Sequence, residues 1–255
     1  MRWRSSSDRS DYADGAPIVN VLAFDTCFGA VSAAVRWRNR QGDWQTSEAY
    51  EALAVGHAER LLPLIDEVMI GAGVSFAELD RIAVTLGPGG FTGLRVGIAT
   101  ARALALATGV PVVGMSSLAV MAERARLLLG ELPSERKLAV VVDARREANY
   151  VQVFGSESGA FLSVPRLCTA IEAAAALPAG EIVLVGSGAN AVGAAAVASG
   201  RIDVKVALCD LQPHARQLAN LAPVLPVLDR VIPLYLRAAD AKPSSAPSLP
   251  RRIGP

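Results

Sequence analysis

The chain has 255 residues, and 25 Lys and Arg stand against 24 Asp and Glu, so its formal net charge is only +1. Hydrophobic residues make up 52% of the sequence and charged residues 19%, which excludes a disordered chain and provides a core for one large domain or two lobes. A protein that holds nucleic acid on its own usually has a basic excess, because neutralising phosphates drives the binding. The balanced charge therefore disfavours that class.

Three cysteines, Cys27, Cys168 and Cys209, lie far apart and lack the spacing of a zinc site or a disulfide framework, so we expect reduced thiols. Residues 1–17 have no apolar segment of the kind that a secretory signal needs. The long uncharged stretches of the chain are interrupted by Gly, Pro and Ser, which disfavours a membrane span. We expect a cytoplasmic protein without membrane contact, and flexible tails at 1–17 and 239–255.

Between the tails, apolar runs bounded by turn residues predict strands, and apolar residues at helical spacing predict helices. In the first half the predicted elements are strands at 18–24, 30–37 and 44–50, a helix at 57–70, a short helical turn at 75–79, a strand at 82–86, a helix at 94–108, a strand at 112–114 and a helix at 116–129. In the second half they are strands at 138–142, 150–154, 161–164 and 182–185, and helices at 189–198 and 211–225.

Each half opens with an apolar strand that stops at an aspartate, Asp25 in the first and Asp143 in the second. This pattern predicts a duplicated α/β architecture. Either carboxylate could hold a magnesium-bound nucleotide through water, or simply cap a turn. In the same way, Gly186, Ser187 and Gly188 follow a predicted strand, where they could admit an adenosine or form a tight turn.

A glycine-rich loop joins a predicted strand to a predicted helix at residues 87–97, Gly-Pro-Gly-Gly-Phe-Thr-Gly-Leu-Arg-Val-Gly. Glycines let another group approach the backbone closely, and free N–H groups at a helix start favour anions. The loop has neither the lysine of a Walker A motif nor the spacing of a dinucleotide fingerprint. Phosphate binding and a structural turn with Thr92 as the N-cap are both open. The loop residues of interest are Gly87, Gly89, Gly90, Thr92, Gly93 and Arg95.

The helix after this loop carries small residues at four-residue intervals, Gly97, Ala101 and Ala105. Such a stripe permits close approach of a second helix, either inside the protein or across a dimer interface. The two histidines, His57 and His214, do not have metal-ligand spacing, so the sequence predicts no metal site.

Seven segments resemble the TsaB (YeaZ) family in their order and approximate spacing over residues 18–238. They are Val-Leu-Ala-Phe-Asp-Thr at 21–26, His-Ala-Glu-Arg-Leu-Leu-Pro-Leu-Ile at 57–65, the glycine-rich loop at 87–97, Gly-Val-Pro-Val-Val-Gly at 109–114, Asp-Ala-Arg at 143–145, Val-Gly-Ser-Gly at 185–188 and Tyr-Leu-Arg at 235–237. The glycine-rich loop is the longest and most specific of them.

The resemblance implies an α/β actin-like ATPase (ribonuclease H-like) fold of two lobes, each a mixed β-sheet with flanking helices. The N-lobe would comprise 18–116 and a C-terminal helix returning at about 211–238, and the C-lobe would comprise 117–210. A nucleotide would lie between the lobes, and we expect at most weak ATP or ADP with magnesium and no tightly bound cofactor. The residues around it would be Asp25, Thr26, Asp143, Gly186, Ser187 and Gly188.

The resemblance also implies a non-catalytic subunit of the complex that forms N6-threonylcarbamoyladenosine in tRNAs reading codons that start with A. It would pair with a TsaD-like catalytic subunit, through that subunit reach a TsaE-like ATPase, and meet tRNA only within the complex; a homodimer is possible. The metal-binding HxxxH pair of TsaD would fall on Ser117 and Met121, which are poor replacements for imidazole. The interface residues would be His57, Leu61, Leu64, Ile65, Val68, Gly97, Ala101 and Ala105. The alternatives are an ATP-dependent kinase or ATPase of the same fold and, less favoured, a metalloprotease.

Overall fold

Two five-stranded mixed sheets build the protein, and the computed structural model describes residues 12–13, 16–17, 19–130 and 133–237. The first lobe contains β3 (Val21–Asp25), β4 (Ala30–Arg38), β5 (Trp44–Ala52), α1 (His57–Ala72), β6 (Arg81–Thr85), α2 (Phe91–Thr108) and β7 (Val112–Met115). The second contains α3 (Ser117–Leu129), β8 (Lys137–Asp143), β9 (Ala148–Phe154), β10 (Arg166–Thr169), α4 (Ala170–Ala175), β11 (Ile182–Val185), α5 (Ala189–Ala198) and β12 (Val204–Ala207). The chain then returns to the first lobe as α6 (Ala215–Leu221).

The two sheets have the same topology. Their strand orders are β5-β4-β3-β6-β7 and β10-β9-β8-β11-β12. In each sheet the strands that come first in the chain pair antiparallel, and the two later strands add in parallel. The predicted duplication is confirmed, and with it the actin-like, ribonuclease H-like fold of two lobes.

Helices cover both faces of each sheet, which explains why the central strands are continuous apolar runs. In the N-lobe, α1 and α2 cover one face of the sheet, and α6 with part of α3 covers the other. In the C-lobe, α3 packs on one face, while α4 and α5 pack on the opposite face. The central strands β3 and β8 are therefore buried almost throughout, and only Asp143 at the end of β8 is exposed.

The predicted strand at 161–164 is wrong. Phe161 makes only an isolated bridge to Phe154, and β9 instead pairs with β10. Pro165 lies between the predicted and the observed strand, and because proline has no N–H to donate, the paired ladder begins after it. The sequence prediction also missed α4 and β12. The N-cap of α4, Thr169, forms a capping box with Glu172, a signal that the sequence does contain.

The predicted C-terminal helix is too long. The α-helix α6 has seven residues and continues as one 3₁₀ turn at Ala222–Val224. Pro223 and Pro226 follow Leu221, and proline in a helix interior removes a hydrogen bond and clashes with the preceding turn. The chain from 225 to 237 instead runs as an irregular segment over the N-lobe, where the Leu228 N–H donates to the Val112 carbonyl at 2.8 Å.

The predicted flexible tails lie almost wholly outside the described residues. Residues 239–255 lie outside them altogether. Within 1–17 the structure describes only β1 (Tyr12–Ala13) and β2 (Ala16–Pro17), which pair antiparallel. The flexibility of both tails stays a prediction. Among the described helices, none is long and apolar enough to cross a bilayer.

Helix α1 supplies a matched test of this packing. Leu61 is fully buried against the N-lobe sheet, whereas its neighbour Leu62 is 54% exposed. We expect Leu61→Ala to lower the free energy of unfolding by about 2–5 kcal/mol, because it leaves a cavity. Leu62→Ala should change it by only about 0.5 kcal/mol. Urea unfolding of both variants measures the difference, and equal effects would contradict the assignment of the buried face.

Candidate functional site

The N-terminus of α2 packs directly on the loop that follows β3. A Cβ atom added to Gly93 would lie 2.1 Å from the Thr26 carbonyl oxygen, and one added to Gly97 would lie 2.6 Å from Thr26 Oγ1. A Cβ atom at Gly89 would lie 2.5 Å from the Cys27 carbonyl oxygen. No real side chain fits at such distances, so these three glycines are required for the close approach of two backbones.

Hydrogen bonds fix the same contact. The Thr26 hydroxyl donates to the Gly93 carbonyl at 2.7 Å, and the Gly90 N–H donates to the Cys27 carbonyl at 2.7 Å. Gly90 is also the N-cap of α2, with extended backbone angles. The prediction that Thr92 is the N-cap is wrong, because the helix already begins at Phe91 and Thr92 lies exposed in its first turn. This geometry supports the interpretation of the loop as a structural turn that packs α2 on the loop after β3.

Two further loop residues meet the C-terminal segment. Gly87 has a φ of 99°, and a Cβ atom there would lie 2.9 Å from the Leu234 carbonyl oxygen. The Arg95 guanidinium stacks 3.7 Å above the Phe91 ring and donates to the Tyr235 hydroxyl at 3.1 Å. Both residues are therefore engaged with other parts of the protein.

Asp25 is fully buried beneath this contact. One carboxylate oxygen accepts hydrogen bonds from the Thr85 hydroxyl and from the Cys27 N–H, whereas the other has no partner among the described residues. Burial raises the pKa of Asp25, and the bonds from Thr85 and Cys27 oppose this only in part. Burial, followed by the charge of Asp25, raises the pKa of the Cys27 thiol well above its usual value, so this cysteine stays protonated.

The structure brings the C-lobe residues of the predicted site close together, and their role stays a prediction. Asp143 is exposed at the end of β8, its N–H donates to Ser187 Oγ at 3.0 Å, and its carboxylate accepts from the Arg145 N–H at 2.7 Å. The glycines on either side of Ser187 face protein. Added Cβ atoms would lie 2.5 Å from the Val141 carbonyl at Gly186 and 2.3 Å from the Asn149 side chain at Gly188.

Aromatic side chains occupy the junction between the two halves. The rings of Phe28 and Tyr150 lie 6.3 Å apart, and Phe28 packs against the cores of both lobes. The ring of His57 is hydrogen-bonded to the Phe28 carbonyl at 2.9 Å through Nε2. His57 thus belongs to the wall of this junction.

The N-lobe residues do not fit a magnesium-bound nucleotide in this conformation. Asp25 and Thr26 are 0% and 1% exposed, and their hydrogen bonds are made within the protein. Asp143 and Ser187 remain accessible on the C-lobe side. Among the residues that the structure describes, no three His, Cys, Asp or Glu side chains come together as metal ligands would. The expectations about cofactors and metals stay predictions.

Most of the residues predicted to form the partner interface are buried, so the prediction that this set forms an exposed surface is wrong. Its α1 members Leu61, Leu64, Ile65 and Val68 are at most 2% exposed, because they form the face of α1 that packs on the sheet. In α2, Gly97 and Ala101 are buried, and Ala105 is half-buried. Helical spacing of apolar residues marks the core-facing side of a helix, and the sequence prediction assigned that side to a partner.

The comparisons with known proteins agree with this fold and these motifs. The family model of TsaD, tRNA N6-adenosine threonylcarbamoyltransferase, matches residues 51–198. The solved structure of YeaZ from Pseudomonas aeruginosa is 29% identical with a TM-score of 0.71, over 86% of this chain and all of that one. A protein of Haemophilus influenzae named tRNA threonylcarbamoyladenosine biosynthesis protein TsaB is 33% identical over 132 residues, 52% of each chain. The chain belongs to the TsaB (YeaZ) family.

The extent of the match differs among relatives. This TsaB-family chain spans about half the length of its Haemophilus relative, 52%. An uncharacterized protein of Mycobacterium tuberculosis is 33% identical over 229 residues, which is 89% of this chain and 95% of that protein. The similarity to that protein thus extends through both lobes of this chain.

The glycine contact gives a matched pair of variants. Gly93→Ser places a Cβ atom against the Thr26 carbonyl, and we expect it to lower the free energy of unfolding by about 1–3 kcal/mol, as overpacking does. At Gly90 an added Cβ atom would meet its nearest neighbour at 3.6 Å, and serine is a good N-cap. Gly90→Ser should leave stability unchanged or raised. Chemical denaturation distinguishes the two, and tolerance of Gly93→Ser would contradict the required close approach.

The buried carboxyl of Asp25 predicts a pH dependence. Its folded-state pKa lies above the unfolded value of about 3.9, so the native state binds the proton more tightly. The contribution of Asp25 to stability is therefore fully present below pH of about 3.9 and is lost as pH rises through the folded-state pKa. Relative to Asp25→Asn, the free energy of unfolding of the wild type should fall over this window. If the free energy of unfolding of the wild type instead rises with pH relative to that of Asp25→Asn, then burial does not raise the pKa of Asp25.

Proposed function

We propose that this TsaB-family chain is a non-catalytic partner subunit in the formation of N6-threonylcarbamoyladenosine on tRNA, acting with a TsaD-like catalytic subunit. The observation that carries the proposal is the packing of Ser117 and Met121, the positions at which the family resemblance places the metal-binding histidines of TsaD. Both are 0% exposed, and the Ser117 hydroxyl donates to the Pro88 carbonyl. The Met121 methyl group lies beside Gly186 in the C-lobe. Neither side chain is free to bind a metal.

The closed N-lobe loop supports the same proposal over an ATP-dependent enzyme. A phosphoryl-transfer enzyme needs accessible groups that hold a nucleotide and its magnesium ion. Here the Asp25 carboxylate is fully buried and the Thr26 hydroxyl is bonded to Gly93. The Thr26 hydroxyl instead joins the loop after β3 to α2, and Asp25 is hydrogen-bonded to Thr85 within the sheet.

The exposed face of α1 is the surface that we assign to the partner. Leu62 and Ile70 are 54% and 81% exposed, and Asp66 lies between them at the same four-residue spacing, so the three residues share one side of the helix. Exposed apolar residues on a helix favour burial against another protein. The buried residues Leu61, Leu64, Ile65 and Val68 hold this face in place. A second copy of this chain could use the same surface, which gives a homodimer when the partner is absent.

The remaining partners follow from this assignment. The TsaE-like ATPase would join through the TsaD-like subunit, and tRNA would be bound within the complex, which agrees with the balanced net charge of +1.

A matched pair of leucines tests the surface. Leu62→Asp places a charge in the proposed interface and should abolish co-purification with the TsaD-like protein of the same cell. Leu128→Asp on α3 is the control, because Leu128 is 55% exposed, much like Leu62, but lies outside α1 and α2. Survival of the Leu62→Asp complex, or equal loss with the control, would refute the assigned face.

The function is tested by reconstitution. The TsaD-like protein and the remaining components are assayed for threonylcarbamoyladenosine formation on tRNA with and without this chain. We expect product only, or far faster, when the chain is added, and no product from the chain alone. Equal rates in its absence would overturn the proposal, as would modification by the chain on its own.

A further inference from the structure

The last described residues of the chain, 234–237, pass from one lobe to the other. Their first contacts are with the N-lobe. The Leu234 N–H donates to the Leu86 carbonyl at 2.6 Å, and the Leu234 carbonyl lies against Gly87, where only a glycine leaves space for it. The segment therefore begins fixed to the glycine-rich loop.

The next residue extends this attachment along α2. The Tyr235 ring lies 5.5 Å from the Phe91 ring, and its hydroxyl accepts a hydrogen bond from Arg95 at 3.1 Å. The same Arg95 guanidinium stacks on Phe91. Although Tyr235 is 43% exposed, one side of it is thus held by an aromatic and a cationic partner at the start of α2.

The two residues after Tyr235 contact the C-lobe. Leu236 packs against the C-lobe core cluster that contains Tyr150, and the Arg237 guanidinium donates to the Arg145 carbonyl at 3.2 Å. Arg145 lies two residues after Asp143, in a turn where three consecutive non-glycine residues have positive φ. Such angles are uncommon outside glycine, so the turn depends on the contacts that hold it.

Leu236 packs against the same C-lobe cluster as Phe28, whose ring lies 6.3 Å from that of Tyr150. Four consecutive residues therefore tie the glycine-rich loop to the Asp143 turn over the place where the lobes meet. We propose that residues 234–237 form a strap that holds the two lobes closed. The strap makes the two lobes one rigid body, and its release is required for the lobes to part. This inference goes beyond the proposed function and does not depend on it.

The strap is tested by the distance between the lobes. Spin labels are attached at Glu67→Cys on α1 and Ala194→Cys on α5, two exposed helical positions in different lobes. Cys168 and Cys209 are replaced by serine, and the buried Cys27 is retained. Pulsed electron paramagnetic resonance then gives the distribution of distances in the full chain.

With the strap intact, and with the labelled chain diluted in an excess of unlabelled chain so that only distances within one chain are measured, we expect one narrow distance. Tyr235→Ala combined with Arg237→Ala should add a second, longer distance, because the attachments to both lobes are lost. Ile232→Ala is the control: Ile232 is 56% exposed in the same segment but precedes the strap, and its distribution should match that of the wild type.

An unchanged distribution in the folded double variant would overturn the proposal, and so would equal broadening in the Ile232→Ala control. If the double variant fails to fold, two milder changes answer the question. Tyr235→Phe keeps the ring contact and removes only the hydroxyl, and Arg237→Gln removes only the cation. Each should add a smaller share of the longer distance, and its absence from both would refute the strap.

Discussion

The contact between the Thr26–Cys27 backbone and the glycine face of α2 is the constraint on which the rest of the N-lobe depends. Gly89, Gly93 and Gly97 let a helix start lie directly on the end of β3, at a separation that no side chain permits. That approach buries Asp25, turns the Thr26 hydroxyl toward Gly93 and places Phe28 between the lobes. Features that look like parts of a phosphate site in the sequence are thus the parts of a packing contact.

The same constraint supports the proposed role as a partner subunit rather than as a nucleotide-dependent enzyme. Asp25 lies at the end of β3, but it is fully buried, and burial raises its pKa. The positions at which the family resemblance places the TsaD metal pair contribute to packing: the Ser117 hydroxyl is hydrogen-bonded to the Pro88 carbonyl, and Met121 lies beside Gly186. Two lobes closed over an aromatic junction can present the outer face of α1 to a partner without moving.

The architecture could be predicted from the sequence because its signals are local. Apolar runs ending at Asp25 and Asp143 gave the two central strands, and the repeated order of strands and helices gave the duplicated lobes. The prediction of a long C-terminal helix is wrong because it relies on the spacing of apolar residues and neglects Pro223 and Pro226, which end the helix. Helix α4 was missed although its capping box from Thr169 to Glu172 is visible in the sequence.

The site was harder to predict because periodicity does not say what a face packs against. The apolar spacing of Leu61, Leu64, Ile65 and Val68 was real, but it is the spacing of a core-facing stripe, and the exposed Leu62 lies on the other side of the same helix. The Thr26 contact with Gly93 links residues 67 positions apart, and the strap brings Arg237 to Arg145 over 92 positions. Contacts between residues so far apart in the chain produce no spacing or composition pattern in either segment, so they could not be predicted from the sequence.

The central claim is that this chain supports tRNA modification without performing chemistry of its own. Its most direct test is the rate of threonylcarbamoyladenosine formation by the reconstituted complex containing the Asp143→Asn variant, compared with the wild-type chain. Asp143 is an exposed carboxylate at the C-terminal end of β8, and its replacement should leave the folded structure intact. We predict a rate within about twofold of the wild type. A loss of about 100-fold or more, the size expected when a group that takes part in proton transfer is removed, would contradict the account.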